Sequence, residues 1–485
     1  MCAKKRMQRI IAAILAGVTL CCMAGCSAAG HEVQEAKTYE ALPVYKYNFG
    51  MMEEDEMPIV IFGGPIDGYV KDGYKPDTMI NDNTYRYYKE AGVNAIVGTA
   101  NWVNGNRVDE VMRILNYTEK YRINYVTFDT SLIWFGGADI PSLDDEIVQK
   151  RLSFYEQYES FAGIYCKDEA RVEDLDELGK AHQLIFDYNE QNNTNLIAYS
   201  NMHPYWTGAD QGFYSNDYSI KEYDYEDMIR GFLDKGKLPY LSYDRYSLLG
   251  TTEDTTGTLD QGWFMNLALI RGWAEEYEIP FWVCLPVGGW DNYYKAPNES
   301  EFLWLVNSAL ACGAKGIEYF PGVMPTAENY MASDHGDLGL VAWDGQKTQY
   351  YYYSKKATEQ IKACQKYLMN AASVGIMVDV GNSPDSNISN DFPFTMKEGY
   401  TFLLDSFREV QSISDNALVG CFDYNGKTML YVMNNSLDED TEEVALKFDG
   451  NYGYHVIQRG VVRTTTGRTL SLNLRGGEGA LILLK

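Results

Sequence analysis

Between Pro58 and Leu368, short apolar runs bounded by turn residues alternate eight times with stretches of helical periodicity, an order that few folds accept. The strand-like runs are Pro58–Phe62, Ala95–Thr99, Tyr125–Phe128, Gly163–Cys166, Leu196–Tyr199, Tyr240–Tyr243, Phe281–Leu285 and Gly316–Phe320. The helical stretches are Thr84–Ala91, Val108–Tyr121, Ser142–Tyr158, Asp174–Asn189, Tyr225–Lys235, Trp263–Tyr277, Glu299–Ala311 and Tyr350–Leu368. In the second of these Val108, Val111, Met112 and Leu115 share one face, and the first stops at Gly92, a residue suited to a left-handed C-cap. A strand followed each time by a helix builds a parallel sheet, and eight such units close a (β/α)8 barrel, here over residues 42–372.

After Ala372 the grammar changes. Gly375–Val380, Ala417–Phe422, Met429–Met433, Val444–Phe448, His455–Ile457, Leu470–Leu474 and Ala480–Leu484 alternate with period two, separated by turns such as Tyr424-Asn425-Gly426-Lys427. This predicts a small antiparallel β-sandwich over residues 373–485, in which no catalytic cluster is evident.

The N-terminus is of another kind. Lys4, Lys5, Arg6 and Arg9 precede an apolar run from Ile10 to about Cys22, and then Met23-Ala24-Gly25-Cys26, so residues 1–25 read as a secretory signal too short to span a bilayer. Its ending resembles the bacterial lipobox, which implies that Cys26 is lipidated and anchors the mature chain to the outer side of the membrane, with residues 26–41 as a polar tether. Loss of the four basic residues of the leader takes the formal charge from −27 to −31, a surface that repels phosphate backbones, so nucleic acid is not an expected partner. Four of the nine cysteines lie in residues 1–26; the other five, scattered through apolar runs, read as buried thiols rather than a disulfide framework.

The barrel reading directs attention to strand ends, because strand interiors are packed and chemistry is left to the C-terminal rim. The fourth strand ends in adjacent acids, Asp168 and Glu169, which serve either as strand-end catalytic groups or as caps for the helix that follows. Neighbours on an extended strand point to opposite faces, so only one of the two is expected to face the cleft directly. Four acids are candidates for its partner. Asp244 ends the sixth strand beside Tyr243 and Tyr246, unless Arg245 or Lys167 neutralises it; Glu318 lies within the eighth, where it faces the mouth or is buried against a partner such as Lys315; Asp291 follows Gly288-Gly289-Trp290; Asp129 ends the third. Asn101-Trp102, Ser131 to Trp134, Asn201-Met202-His203, Tyr205-Trp206 and Trp290 add flat rings and hydrogen-bonding groups suited to a sugar.

The runs GIYCKDEA, LSYDRY, PFWVCLP and ALACGAKGIEYF, with the C-terminal β domain, resemble bacterial glycoside-hydrolase-type TIM barrels, similar to the clan A β-galactosidases whose catalytic domain is a barrel. The resemblance spans most of Pro58 to Lys485 and implies glycoside hydrolysis with an acid/base carboxylate at Glu169. The clan places its nucleophilic glutamate at the end of strand seven, whereas Phe281 to Trp290 holds no acid, and Asp244 is the expected second catalytic residue. Asp168, Asn201, His203, Trp206, Tyr243, Trp290 and Glu318 are the expected substrate contacts. There is no HExxH, no P-loop and no dinucleotide fingerprint after the first strand; His203 and His335 could ligate a metal and Asp334-His335-Gly336-Asp337 could hold calcium, but lone histidines are more often hydrogen-bonding loop groups, so neither metal nor cofactor is expected. Two functions fit: a lipid-anchored hydrolase of external glycans, or a surface carbohydrate-binding protein on the same scaffold.

Overall fold

The computed structural model describes residues 33–65, 79–98, 108–133, 140–206, 213–215, 222–250, 258–289, 293–323, 339–342 and 345–485. Among these residues eight parallel strands alternate with eight helices. The strands are β1 (Ile59–Phe62), β2 (Ala95–Val97), β3 (Asn124–Thr127), β4 (Phe161–Asp168), β5 (Ile197–Asn201), β6 (Leu241–Asp244), β7 (Phe281–Pro286) and β8 (Gly316–Phe320). The helices are α1 (Asp82–Ala91), α2 (Val108–Tyr121), α3 (Glu146–Tyr155), α4 (Leu175–Asn192), α5 (Tyr225–Gly236), α6 (Trp263–Glu276), α7 (Glu299–Ala311) and α8 (Gln349–Leu368). The expected Gly92 C-cap is present, at φ +93°.

Strands pair in the order β5-β4-β3-β2-β1-β8-β7-β6, and the ring closes where Met202 bridges Tyr243. There the Met202 amide donates to Ser242 O at 2.9 Å and the Asp244 amide to Met202 O at 3.3 Å. That short seam brings the ends of β5 and β6 together, and Asn201 beside Asp244 with them. The opposite end of the barrel is plugged by rings: Tyr240 stacks on Trp282 at 4.3 Å, and Tyr47 from the entering chain stacks on Tyr240 at 5.5 Å.

The C-terminal region is antiparallel, as its period-two pattern predicts, but it is one sheet. Its strands are β9 (Ala372–Val378), β10 (Val410–Ile413), β11 (Ala417–Tyr424), β12 (Lys427–Asn434), β13 (Thr441–Gln458), β14 (Val461–Arg475) and β15 (Gly479–Leu484). The runs Val444–Phe448 and His455–Ile457, which read as separate strands, belong to the single 18-residue β13. A register irregularity between Lys447 and Tyr452 divides it, so that on one edge its first half pairs β10 and its second half β15, while β14 follows the other edge. Val419, Leu430, Val432, Leu446, Val456, Leu472 and Ile482 meet in a core of the sheet's own.

The other face of that sheet joins the barrel. Leu418, Phe422, Met429, Tyr431, Met433 and Leu481 belong to the same apolar core as the barrel strands. Helix α7 lies between the two and is buried almost all round, which explains why its sequence lacks a polar stripe. At Gly420 a Cβ would stand 2.2 Å from the Ala311 carbonyl oxygen, so only glycine lets the sheet approach the end of α7 this closely. Cys166, Cys284, Cys312, Cys364 and Cys421 are buried free thiols. Among the described residues no helix is long and apolar enough to cross a membrane.

Candidate active site

Alternation along the strands assigns the side chains of the mouth. On β6, Ser242 and Asp244 face the barrel axis. Tyr243 points the other way and is fully buried; the expected substrate contact at Tyr243 is therefore corrected, because strand parity turns its ring into the packing around the strands. On β5, Tyr199 and Asn201 face inward. A register irregularity between Tyr165 and Lys167 shifts the end of β4, leaving Asp168 level with Asn201.

Three inward groups meet. The Asn201 side-chain amide donates to Asp244 Oδ1 at 3.0 Å and to Asp168 Oδ1 at 3.4 Å. Those two oxygens therefore stand no more than 6.4 Å apart, the sum of the two distances. Asp244 is 5% exposed and Asp168 is half-buried. Burial pushes the Asp168 carboxyl well above the usual carboxylate range, and the Glu169 charge adds to it. Asp244 is raised by burial first and then by the charges of Glu169 and Asp168. Glu169 leaves the strand at φ +48°, its amide donating to Asn201 O at 2.9 Å. Its carboxylate lies 3.3 Å from Nδ1 of buried His203, and its side chain is 44% exposed. Burial alone would raise Glu169, but His203 and Arg171 outweigh it and hold the carboxyl below its ordinary value.

The proton thus belongs to the two aspartates rather than to Glu169, the reverse of the order expected from sequence. In the structure the ionised Glu169 helps to hold a proton on Asp168 and Asp244. Nor is Asp244 neutralised by Arg245 or Lys167. Arg245, fully buried, donates to Ser247 Oγ at 3.1 Å and Tyr205 O at 2.7 Å and pairs with Asp260, while Lys167 lies 3.5 Å from Asp174.

Rings form the walls. Phe62, Tyr165 and Tyr199 contact one another at 5.8 to 6.1 Å between centroids. Phe320 lies 5.6 Å from Phe62, Tyr246 stacks on Phe320 at 6.0 Å, and Tyr294 meets Tyr246 edge-on at 5.7 Å. Phe320, Tyr246 and Tyr294 are half-buried, leaving ring area for a ligand. Trp206 is also half-buried, with the Arg245 guanidinium 4.6 Å from its ring centroid.

Glu318 lies deeper than expected. It is fully buried, accepting from the Tyr199 hydroxyl at 2.7 Å, with Ser242 Oγ 3.1 Å from its other oxygen, so it does not reach a ligand in the mouth. Lys315 is not its partner; that ammonium donates to Leu368 O and, at 2.6 Å, to Ala371 O. Asp129 accepts from the Tyr155 hydroxyl at 2.6 Å and from Ser131, which gives it a structural role. Trp290, Asp291, Asn101, Trp102, Trp134, Asp334, His335, Asp337 and Cys26 lie outside the described residues. Sequence reasoning missed Ser242, Tyr199 and Phe320; parity counted back from Asp244 and Asn201 was the available signal for the first two.

The geometry defines the class as a (β/α)8 barrel with an antiparallel C-terminal sheet and a three-carboxyl cluster at the barrel mouth. No protein-family model matches the chain, and no curated protein matches it. Among solved structures it is similar to an Anoxybacillus α-amylase at 12% identity, over 89% of this chain and 98% of that one, with a TM-score of 0.46. A β-galactosidase from Bacillus circulans sp. alkalophilus is 12% identical over 88% and 99%, with a TM-score of 0.45. A Bacteroides fragilis protein described as a putative alpha-galactosidase is 9% identical over 89% and 79%, with a TM-score of 0.46.

Proposed function

We propose that the protein is a retaining glycoside hydrolase of external glycans, with Asp168 as nucleophile and Asp244 as acid/base. The observation that carries this reading is the Asn201 amide shared by two carboxyls whose bridged oxygens are within 6.4 Å of each other. Retaining enzymes hold their carboxyls about 5–5.5 Å apart, and inverting ones about 6.5–9.5 Å apart to admit a water. Asp244, the more buried of the two, keeps the proton. As the Asp168 carboxylate bonds to the anomeric carbon, Asp244 gives its proton to the departing glycosidic oxygen. Water then attacks the glycosyl ester, losing a proton to Asp244 and releasing Asp168 as carboxylate. Relative to the sequence expectation this reading retains Asp244 and transfers the partner role from Glu169 to Asp168. Glu169 becomes the fixed charge, and the half-buried rings of Tyr246, Tyr294 and Phe320 become sugar platforms.

Screening the mature protein against chromogenic α- and β-glycosides, with the product anomer followed by NMR, tests this. Hydrolysis with retention is expected. Inversion would overturn the mechanism, and glycan binding without hydrolysis would hand the case to the carbohydrate-binding reading, which the absence of an acid along Phe281–Pro286 favours.

We also propose that the chain is held at the outer side of the membrane through a lipid on Cys26, on the strength of Met23-Ala24-Gly25-Cys26. Cys26→Ser should abolish lipid labelling and release soluble protein outside the cytoplasm. Continued labelling of that variant would exclude Cys26 as the site.

A further inference from the structure

Beneath the acids lies a hydrogen-bonded chain in which one proton is claimed twice. Ser242 Oγ stands 2.9 Å from Asn201 Oδ1 and 3.1 Å from Glu318 Oε1. A serine hydroxyl has a single hydrogen, and both neighbours are oxygens that accept when unprotonated. With the Asn201 nitrogen on the two aspartates, Asn201 Oδ1 needs the Ser242 hydrogen. Glu318 must then carry a proton and donate it to Ser242 Oγ. When Glu318 is ionised, Ser242 turns its hydrogen downward, and Asn201 Oδ1 faces a lone pair. The amide can recover a donor only by rotating, which puts its oxygen against Asp168 and Asp244 and calls for a proton there.

We propose that Glu318 is a positioning residue whose protonation, passed through Ser242, decides which end of the Asn201 amide meets Asp168 and Asp244. This rests on the reading of that pair as catalytic. The surroundings support it. The Tyr199 hydroxyl from β5 and Ser242 from β6 hydrogen-bond Glu318, and the Cys284 thiol from β7, the Tyr240 hydroxyl and the Asp168 carboxyl from β4 interact with it electrostatically. Its β1 neighbour in register is apolar Val60. None of these is a cation, and burial raises Glu318 to about 7, so the switch falls near neutral pH. Below that pH the amide donates to both aspartates; above it, activity falls.

The test is an infrared titration of the full-length protein, with Glu318→Gln used to assign the carboxyl band, alongside pH–rate profiles. Glutamine donates to Ser242 Oγ and accepts from Tyr199, so it fixes the protonated arrangement. A Glu318 carboxyl band lost as pH rises through about 7 is expected. In Glu318→Gln the basic limb of the profile should move up by about one unit or more, whereas Ser242→Ala should lose about tenfold at every pH. A Glu318 ionised already at about pH 6, or identical profiles for the parent and Glu318→Gln, would overturn the proposal. If no glycan is hydrolysed, the catalytic reading falls while the infrared arm still decides the chain: an aspartate band displaced by Glu318→Gln sustains it, and an unmoved one ends it.

Discussion

Asp244 and Glu318 face the interior of one barrel, and each is level with Cys284 across β7, yet their surroundings differ. Asp244 stands among like charges at the rim, sharing Asn201 with Asp168. Glu318 is fully buried among neutral donors and touches Ser242, two residues before Asp244. Strands in a barrel tilt and stagger, so residues equal in register climb the axis from one strand to the next. The same side chain is therefore a candidate reagent at one height and a support at another. At the rim its proton is set by burial and neighbouring carboxylates; inside, by burial against hydrogen bonds from Tyr199 and Ser242.

The largest expected effects separate those heights by chemistry. Asp168→Asn and Asp244→Asn should each lower kcat/KM by about 10³-fold or more, with azide restoring turnover of Asp244→Asn on substrates with good leaving groups. Relief of like-charge repulsion should raise the thermal midpoint of both variants. Full activity in Asp168→Asn together with its loss in Glu169→Gln would return the role of Asp244's catalytic partner to Glu169.

A smaller change is expected when only the fixed charge is removed. Glu169→Gln should cost roughly tenfold and move the basic limb of the pH–rate profile downward, because Asp244 then releases its proton more easily. A basic limb that stays in place would mean that Glu169 does not govern the aspartate pair. The walls should act on binding instead. Tyr246→Ala is expected to raise KM by about 3- to 30-fold, the range for loss of one aromatic platform, with kcat changed much less.

The smallest effects are in stability and compare two buried charges of opposite sign. Glu318 is raised from an ordinary 4.5 to about 7, so the stability it confers is complete below about 4.5 and lost as pH rises through about 7. Lys315 is lowered from 10.5 to about 7, so the unfolded chain binds its proton more tightly and stability rises with pH between about 7 and 10.5. Denaturant unfolding across pH should show Glu318→Gln flattening the first slope and Lys315→Met the second. Unchanged slopes would mean that neither group titrates in the folded interior.

Most of the architecture was legible because it is written locally. The eight apolar runs and the helices between them became the barrel, and the period-two runs after Ala372 became antiparallel strands. A bend is not local: that β13 continues through Asp449-Gly450-Asn451 follows from its pairing with β10, β14 and β15, which no turn signal encodes. Asp168, Glu169, Asp244 and Asn201 could be singled out because strand ends can be counted along the chain. By itself the sequence determined which residues stand at the rim. Only the tertiary structure decided that the seam between β5 and β6 places Asn201 between two aspartates, that parity hides Tyr243, and that barrel stagger seats Glu318 on Ser242. Those relations join residues from 33 to 119 positions apart, and hydrogen-bond geometry between them is fixed by closure of the ring, not by any segment within it.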